Sequence, residues 1–203
     1  LVVKPIDAGS SVGVSIVNQL SDLSAAIKSA RKISRRVIAQ EYIKGREVTC
    51  GVLEDSKNRK PFALPPTEII PNKGTFFDYR SKYVLGASRE ITPARFNLRI
   101  TEAIQKNALI AHKALGCRGM SRTDMIVQIS PSIPSSGSRE NLKSPADSEA
   151  RLNGRQISKI YILETNTIPG MTKTSLLPQG AKAAGISFPE LLDMLIASSL
   201  PNK

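Results

Sequence analysis

The 203-residue sequence predicts an α+β fold, in which antiparallel strands pair with one another and helices are set beside them. Three observations carry that prediction. Short β-rich runs follow one another across Gly/Ser or polar turns. Three segments carry apolar residues at helical spacing. No regular strand–helix–strand alternation runs along the chain.

Taken in order, residues 1–4 form a β-rich run stopped by Pro5, and residues 14–17 resume a strand. The small-residue stretch 7–13 between them makes a hairpin with a flexible tip. Ser21 and Asp22 open a helix carrying Leu23, Ile27, Ala30 and Ile33 at helical spacing. Residues 37–39 and 47–53 are strands, 55–60 a polar turn from which 61–64 returns, and 67–70 a further strand. Residues 71–93 show no periodicity. Four of the chain's nine aromatics (Phe76, Phe77, Tyr79, Tyr83) fall within eight residues there, as expected of an ordered loop or lid packed by its own side chains. Asn97 caps a helix reaching Leu115, with Ile104, Ala108, Ala111 and Leu115 as its buried stripe and Gly116 as its stop. Residues 123–129 and 157–164 read as an antiparallel pair. Between them, residues 130–156 hold seven Ser and three Pro in their first nineteen positions, the composition of a disordered insertion. Ser187 and Glu190 form a capping box opening a last helix, with Leu191, Leu192, Leu195 and Ile196 facing inward.

Composition narrows the function. Lys plus Arg total 29 against 17 Asp plus Glu, a formal charge of +12, which suits an anionic partner: nucleic acid, an acidic membrane or a phosphorylated small molecule. No apolar run approaches the roughly 18–20 residues of a membrane span. The start, Leu1-Val2-Val3-Lys4-Pro5, lacks the features of a signal peptide and an initiator Met, so the expected true start lies upstream. Two cysteines, Cys50 and Cys117, make no disulfide framework, and a single His, His112, gives little support to a Ser-His-Asp triad. The cluster Lys28, Arg31, Lys32, Arg35 and Arg36 contains no acid, yet it lacks interleaved aromatics for base stacking and reads first as a solvated face.

Three motifs carry chemistry. Glu164 and Asn166 share one face of a strand because the side-chain period is 2, and Asp124 lies near the start of the partner strand. Three hard oxygen donors suit Mg²⁺ shared with phosphates and water, although an exposed polar sheet face accounts for them equally well. Lys4, followed by Gly9-Ser10-Ser11-Val12-Gly13, offers backbone and hydroxyl donors to phosphate. This is not a P-loop, because no Lys-Ser/Thr follows the second Gly, and an ordinary turn is the competing reading. The stretch Glu41-Tyr42-Ile43-Lys44-Gly45-Arg46-Glu47 joins two strands as a hinge between lobes would, with Glu47 able to accept from ribose hydroxyls; an ordinary charged loop reads the same.

In this order the motifs are similar to the ATP-grasp portion of D-alanine–D-alanine ligases. The stretches that carry the resemblance are Val3-Lys4-Pro5 with Gly9 to Gly13, Glu41 to Glu47, Gly74-Thr75-Phe76-Phe77-Asp78-Tyr79 with Lys82-Tyr83, and Ala114-Leu115-Gly116-Cys117. Arg122-Thr123-Asp124, Glu164 to Thr172 and Gly185 to Leu191 complete it. The resemblance implies an ATP-grasp fold of two α+β lobes whose antiparallel sheets grip ATP between them: a small ATP-binding lobe, residues 1–41, and a catalytic lobe, residues 42–203. It implies ligation of two D-alanines for peptidoglycan precursor synthesis, through an acyl phosphate on the first.

By the same resemblance Lys4, Ser10, Ser11 and Lys82 contact the ATP phosphates, and Tyr83 pairs with Ser10 to close the loop. Gln40, Glu41, Tyr42 and Ile43 line the adenine site and Glu47 holds ribose. Asp124, Glu164 and Asn166 hold two Mg²⁺, for which Mn²⁺ can substitute. Arg122 and the Gly170 N–H stabilise the oxyanion, and Ser175 and Leu176 bind the second amino acid. Gln40 stands where the family usually carries Glu. The family's N-terminal domain is missing from these 203 residues: if they are the whole protein, weak ATP binding and little or no ligation are expected, and if they are a fragment of a longer one, the full protein is expected to be a ligase. The implied partners are D-alanine and ATP, with no nucleic acid or membrane partner, a homodimer for the full-length protein, and a cytoplasmic location. The alternatives are ligation of D-lactate or D-serine, another ATP-grasp carboxylate–amine ligase, a non-catalytic nucleotide-binding fragment and, last, a nucleic-acid binder.

Overall fold

The computed structural model describes residues 1–9, 11–71, 88–130 and 156–200, with backbone alone for residues 129–130 and 156–158. The chain divides into two compact units, Leu1–Lys44 with Ile69–Glu90, and Gly45–Glu68 with Ile91–Lys203. The sequence reading divides the lobes after residue 41 instead.

The smaller unit holds a three-stranded antiparallel sheet of order β2-β1-β3, with β1 Val2–Pro5, β2 Ser15–Ile16 and β3 Val37–Gln40. Helix α1, Leu23–Arg31, follows a 3₁₀ turn at Leu20–Asp22 and buries Ala26 and Ala30 against Val3 and Val17. The sequence expects Ile33 within that helix, at helical spacing. The helix ends at Arg31, and Ile33 is 46% exposed, its side chain lying where a Cβ on Gly13 would fall. Gly13, at φ +74°, is therefore held to glycine by both backbone conformation and close approach. Lys28, Arg31, Lys32, Arg35 and Arg36 are all exposed, as a solvated face requires.

The larger unit holds most of a six-stranded sheet of order β7-β6-β4-β8-β9, with β5 beside β4; the parts of β6 and β7 within Ile69–Glu90 belong to the smaller unit. The strands are β4 Arg46–Glu54, β5 Pro61–Ala63, β6 Thr67–Pro71, β7 Ser88–Ile91, β8 Met120–Ser130 and β9 Gln156–Asn166. The expected pairing of residues 123–129 with 157–164 is antiparallel as read. Strand β7 was not expected: Ser88-Arg89-Glu90-Ile91 carries no apolar alternation, and its pairing at the sheet edge supplies what its sequence does not. The remainder of the long loop, 72–87, and most of the insertion, 131–155, lie outside the described residues.

Both faces of β4 are covered, which explains its unbroken burial from Val48 to Leu53. On one face, Val48, Cys50, Val52, Met125 and Val127 pack with Ile100, Ile104 and Ala108 of helix α2, Leu98–Ala114. Asn97 caps α2 by accepting from the Ile100 N–H at 3.0 Å, and Gly116 follows it at φ +62°. Leu115, expected in the buried stripe, is 61% exposed at the helix end; His112 is turned inward instead, 1% exposed. On the other face, Leu53 and Leu64 pack with Leu177, Ala181 and Leu191 of α3 (Leu176–Ala183) and α4 (Phe188–Ser199).

Helix α3 escapes the sequence reading because it contains Pro178 and Gly180. The proline sits in the first turn, where its missing N–H costs little. Gly180 lets the helix approach the Pro65 carbonyl oxygen, which would stand 3.3 Å from a Cβ there. The capping box of α4 forms as read: the Ser187 N–H donates to Glu190 Oε2 at 2.7 Å and the Glu190 N–H to Ser187 Oγ at 3.4 Å. Leu192 and Ile196, however, are 38% and 61% exposed; Leu191 points inward with Met194 and Leu195 beside it.

Candidate active site

Strands β4, β8 and β9 carry a polar group on the face that α3 and α4 cover only at one end. Burial of that face begins at Leu53, whose partner is Met120, and continues at Gly51, where a Cβ would meet Leu177. Next along the strands Arg122 stands opposite Gly51 and Asn166, and Asp124 stands opposite Thr49 and Glu164. Four residues singled out in the sequence thus occupy two alternate rungs, neighbours on one face, with Thr123 and Thr165 between them. A register shift between Asp124/Glu164 and Met125/Ile162 leaves Leu163 as an extra residue, a bulge of the kind that re-aims a side chain beside a site.

Asp124 is 4% exposed and its charge is met from two sides. The Arg122 Nε and Nη2 donate to Asp124 Oδ1 and Oδ2 at 3.1 and 3.0 Å, a forked contact. The Thr49 hydroxyl donates to Oδ1 at 2.6 Å. A guanidinium has five N–H donors, so three remain on Arg122 for another anion. Glu164 is exposed, and the Asn166 Nδ2 is buried without a hydrogen-bond partner. No group of three or more His, Cys, Asp or Glu that could hold a metal occurs among the described residues. The donor set here is two carboxylates and an amide, hard oxygen chemistry that fits Mg²⁺, and a half-turn of the Asn166 amide brings Oδ1 to the unpartnered position.

Beyond β9, Pro169 is buried and Gly170 exposed, with Ser175 Oγ standing 3.0 Å from where a Gly170 Cβ would be. Ser175 is the N-cap of α3. Its Oγ accepts from the Thr172 N–H at 3.1 Å and shares a 2.8 Å hydrogen bond with the Thr172 hydroxyl, which ties the turn to the helix start. Leu176 is the helix's first residue and half-buried. The structure thus brings Arg122, Asp124, Glu164 and Asn166 together, and Gly170 beside Ser175.

The nucleotide candidates of the smaller unit form a separate set. Lys4 lies half-buried on β1 opposite Ile38. Ser11 adopts φ +59° in a tip closed by the Val12 N–H to Gly9 oxygen bond at 3.1 Å. Gln40 ends β3, Glu41 and Tyr42 are exposed, and Ile43 is half-buried. Glu47, on β4 of the larger unit, is half-buried opposite Ile126. Ser10, Lys82 and Tyr83 lie outside the described residues. The sequence reading did not find Thr49: a threonine in an apolar strand gives no signal until its partner across the ladder is known.

The chain matches the family described as "D-ala D-ala ligase C-terminus" over residues 1–133 and 152–197. The chain belongs to that family. The residues left between the matched stretches, 134–151, fall inside the segment read as an insertion. The D-alanine–D-alanine ligase of Syntrophobacter fumaroxidans is 46% identical over 201 residues, 98% of this chain and 55% of that protein. That of Desulfotalea psychrophila is 44% identical over 202 residues, 98% and 53%. The solved D-Ala:D-Ser ligase VanG from Enterococcus faecalis is 35% identical with a TM-score of 0.73, over 98% of this chain and 49% of that one. The D-alanine–D-alanine ligase from Bacillus anthracis complexed with ATP is 30% identical with a TM-score of 0.67, over 98% and 51%. The chain therefore spans about half the length of the curated relatives it matches, and the D-Ala-D-Ala ligase C-terminus is an α+β, ATP-grasp unit as its sequence predicts.

Proposed function

We propose that the full-length protein is an ATP-dependent ligase joining two D-alanines into D-alanyl-D-alanine for peptidoglycan precursors. The observation that carries this reading is the placement of Arg122, Asp124, Glu164 and Asn166 on two alternate rungs, neighbours on one sheet face, in a chain of this ligase family. The γ-phosphoryl group passes to the carboxylate of the first D-alanine. The amine of the second attacks the acyl carbon, and phosphate leaves as the amide forms. Arg122 suits the oxyanion of that tetrahedral state, because three of its five donors remain beyond the two that Asp124 takes, on a guanidinium already fixed by Asp124.

Asp124, Glu164 and Asn166 would hold Mg²⁺, which screens phosphate charge when bound, and Mn²⁺ should replace it. Gly170 contributes its N–H to the oxyanion, and Ser175 with Leu176 at the start of α3 receives the second amino acid's carboxylate. In the smaller unit Lys4, Ser10 and Ser11 take the phosphates, Lys82 adds a cation and Tyr83 pairs with Ser10. Gln40, Glu41, Tyr42 and Ile43 line the adenine and Glu47 holds the ribose. Full-length protein is expected in the cytoplasm, as a homodimer, with no nucleic-acid or membrane partner; among the described residues no helix is long and apolar enough to cross a membrane.

The similarity to a D-Ala:D-Ser ligase keeps D-serine as a second reading for the second substrate. Phosphate release by the full-length protein, measured with D-alanine alone and with D-alanine plus D-serine, separates the two. Release that no amino acid stimulates, with ATP binding intact, would overturn both. Glu164→Gln should abolish metal-dependent turnover while leaving the circular dichroism spectrum unchanged.

A further inference from the structure

Asp124 holds its carboxylate in one setting, and the residue that sets it lies on a different strand. Thr49 on β4 stands directly across the ladder from Asp124. Its side chain is buried, and its hydroxyl lies 2.6 Å from Asp124 Oδ1 and 3.3 Å from the Thr123 carbonyl oxygen. An ionised carboxylate is acceptor-only, so the Thr49 hydroxyl is the donor. Oδ1 then receives two hydrogen bonds, one from Thr49 and one from the Arg122 Nε, while Oδ2 receives one, from the Arg122 Nη2. Each carboxylate oxygen offers about two acceptor positions. Oδ1 is filled and Oδ2 keeps one open.

We infer that Thr49 is a positioning residue for the metal site: it occupies Oδ1 so that Asp124 presents Oδ2 alone, in a fixed rotamer, to the cation. This rests on the reading of Asp124 as a metal ligand. Partners of this kind, which touch the ligand and not the metal, set ligand orientation and commonly change metal affinity by about 10–100-fold when removed. Valine has the shape of threonine without the donor. In Thr49→Val the carboxylate gains a free acceptor at Oδ1, and Arg122 alone fixes its orientation.

The test uses the full-length protein and Mn²⁺ as the probe, with free Mn²⁺ read by electron paramagnetic resonance in the presence of the β,γ-imido analogue of ATP. Thr49→Val is expected to weaken Mn²⁺ binding about tenfold or more. Thr49→Ser, which keeps the donor, should stay within about threefold of the parent. Affinity for the nucleotide analogue in the absence of metal should not change, whereas a merely structural role would move both. Parent-like Mn²⁺ affinity in Thr49→Val overturns the inference. If Thr49→Val does not fold, Thr49→Ala, which also lacks the donor, is read against the same expectation. Asp124→Asn separates this inference from the reading beneath it: parent-like Mn²⁺ affinity in that variant means Asp124 is no ligand, and the metal site itself is wrong. Loss of Mn²⁺ in Asp124→Asn with parent-like affinity in Thr49→Val removes Thr49 alone.

Discussion

At the scale of single residues, the larger unit buries several polar groups, among them Asp124 and His112. Asp124 is held by Thr49 and Arg122. His112 donates or accepts at 2.8 Å between Nδ1 and Ser121 Oγ, and its Nε2 lies 3.6 Å from Glu54 Oε1, too far for a hydrogen bond. Burial pushes the His112 pKa below its ordinary 6.5, the Glu54 carboxylate pulls it back upward, and Lys113 acts with burial. The folded chain therefore binds fewer protons at this site than the unfolded chain wherever the two differ. Stability from His112 is complete above about 6.5 and is lost as pH falls from there through the folded value. Thermal unfolding from about pH 7 to about pH 5 should show a steeper fall for the parent than for His112→Gln. Equal slopes would assign the acid sensitivity to other groups. Cys50, with its thiol pushed up to about 12 by burial, is a core residue, as its apolar setting in the sequence suggests.

At the scale of elements, the legible ones are those whose ends are written locally. The α2 cap is such a signal, because Asn97 meets the Ile100 N–H in a purely local contact. Asn97→Ala should cost about 1 kcal/mol of stability in denaturant titration, with no change in the slope of the transition. A cost near zero would mean that another group takes over the free N–H. The α4 capping box is equally local, and Glu190, hydrogen-bonded to Ser187, has its carboxyl held below the usual range. Helix α3 and strand β7 were not legible for the opposite reason. Pro178 and Gly180 argue against a helix until the Pro65 carbonyl oxygen is seen to need the space. Ser88-Arg89-Glu90-Ile91 becomes a strand only because a sheet edge stands next to it. Helix faces failed in part as well: Leu115, Leu192 and Ile196 fit a period of 3.6, yet burial depends on which turns the sheet covers.

At the scale of the whole molecule, the chain passes between its two units three times, after Lys44, after Glu68 and after Glu90. Inside the larger unit, Arg46 and Glu68 flank the first two of these points and are joined: Arg46 Nε donates to Glu68 Oε1 at 2.7 Å and Nη2 to the Arg95 carbonyl oxygen at 3.0 Å. The Arg46 guanidinium also lies 3.9 Å from the centroid of the Phe96 ring. Glu68 is 4% exposed and its Oε2 has no hydrogen-bond partner, so removing Arg46 leaves a buried, unpaired charge. Arg46→Ala should destabilise the larger unit by roughly 3 kcal/mol, and pairing it with Glu68→Gln should recover part of that loss in a double-mutant cycle. Additive costs would mean that the pair is not coupled. The +12 charge, which first admits nucleic acid, places its densest run at the exposed end of α1 and in the residues just after it, while the cations given roles are few: Lys4, Lys82 and Arg122. The sequence by itself determined the α+β class, the hairpins, two capped helices, the family and the identity of the polar residues at the site, because composition, turn chemistry and motif order are local properties. Only the tertiary structure decided the rungs on which Arg122, Asp124, Glu164 and Asn166 meet, the bulge at Leu163 and the hydroxyl of Thr49 behind Asp124. Those depend on the register between strands far apart in the chain, which hydrogen bonding and packing across the sheet fix together.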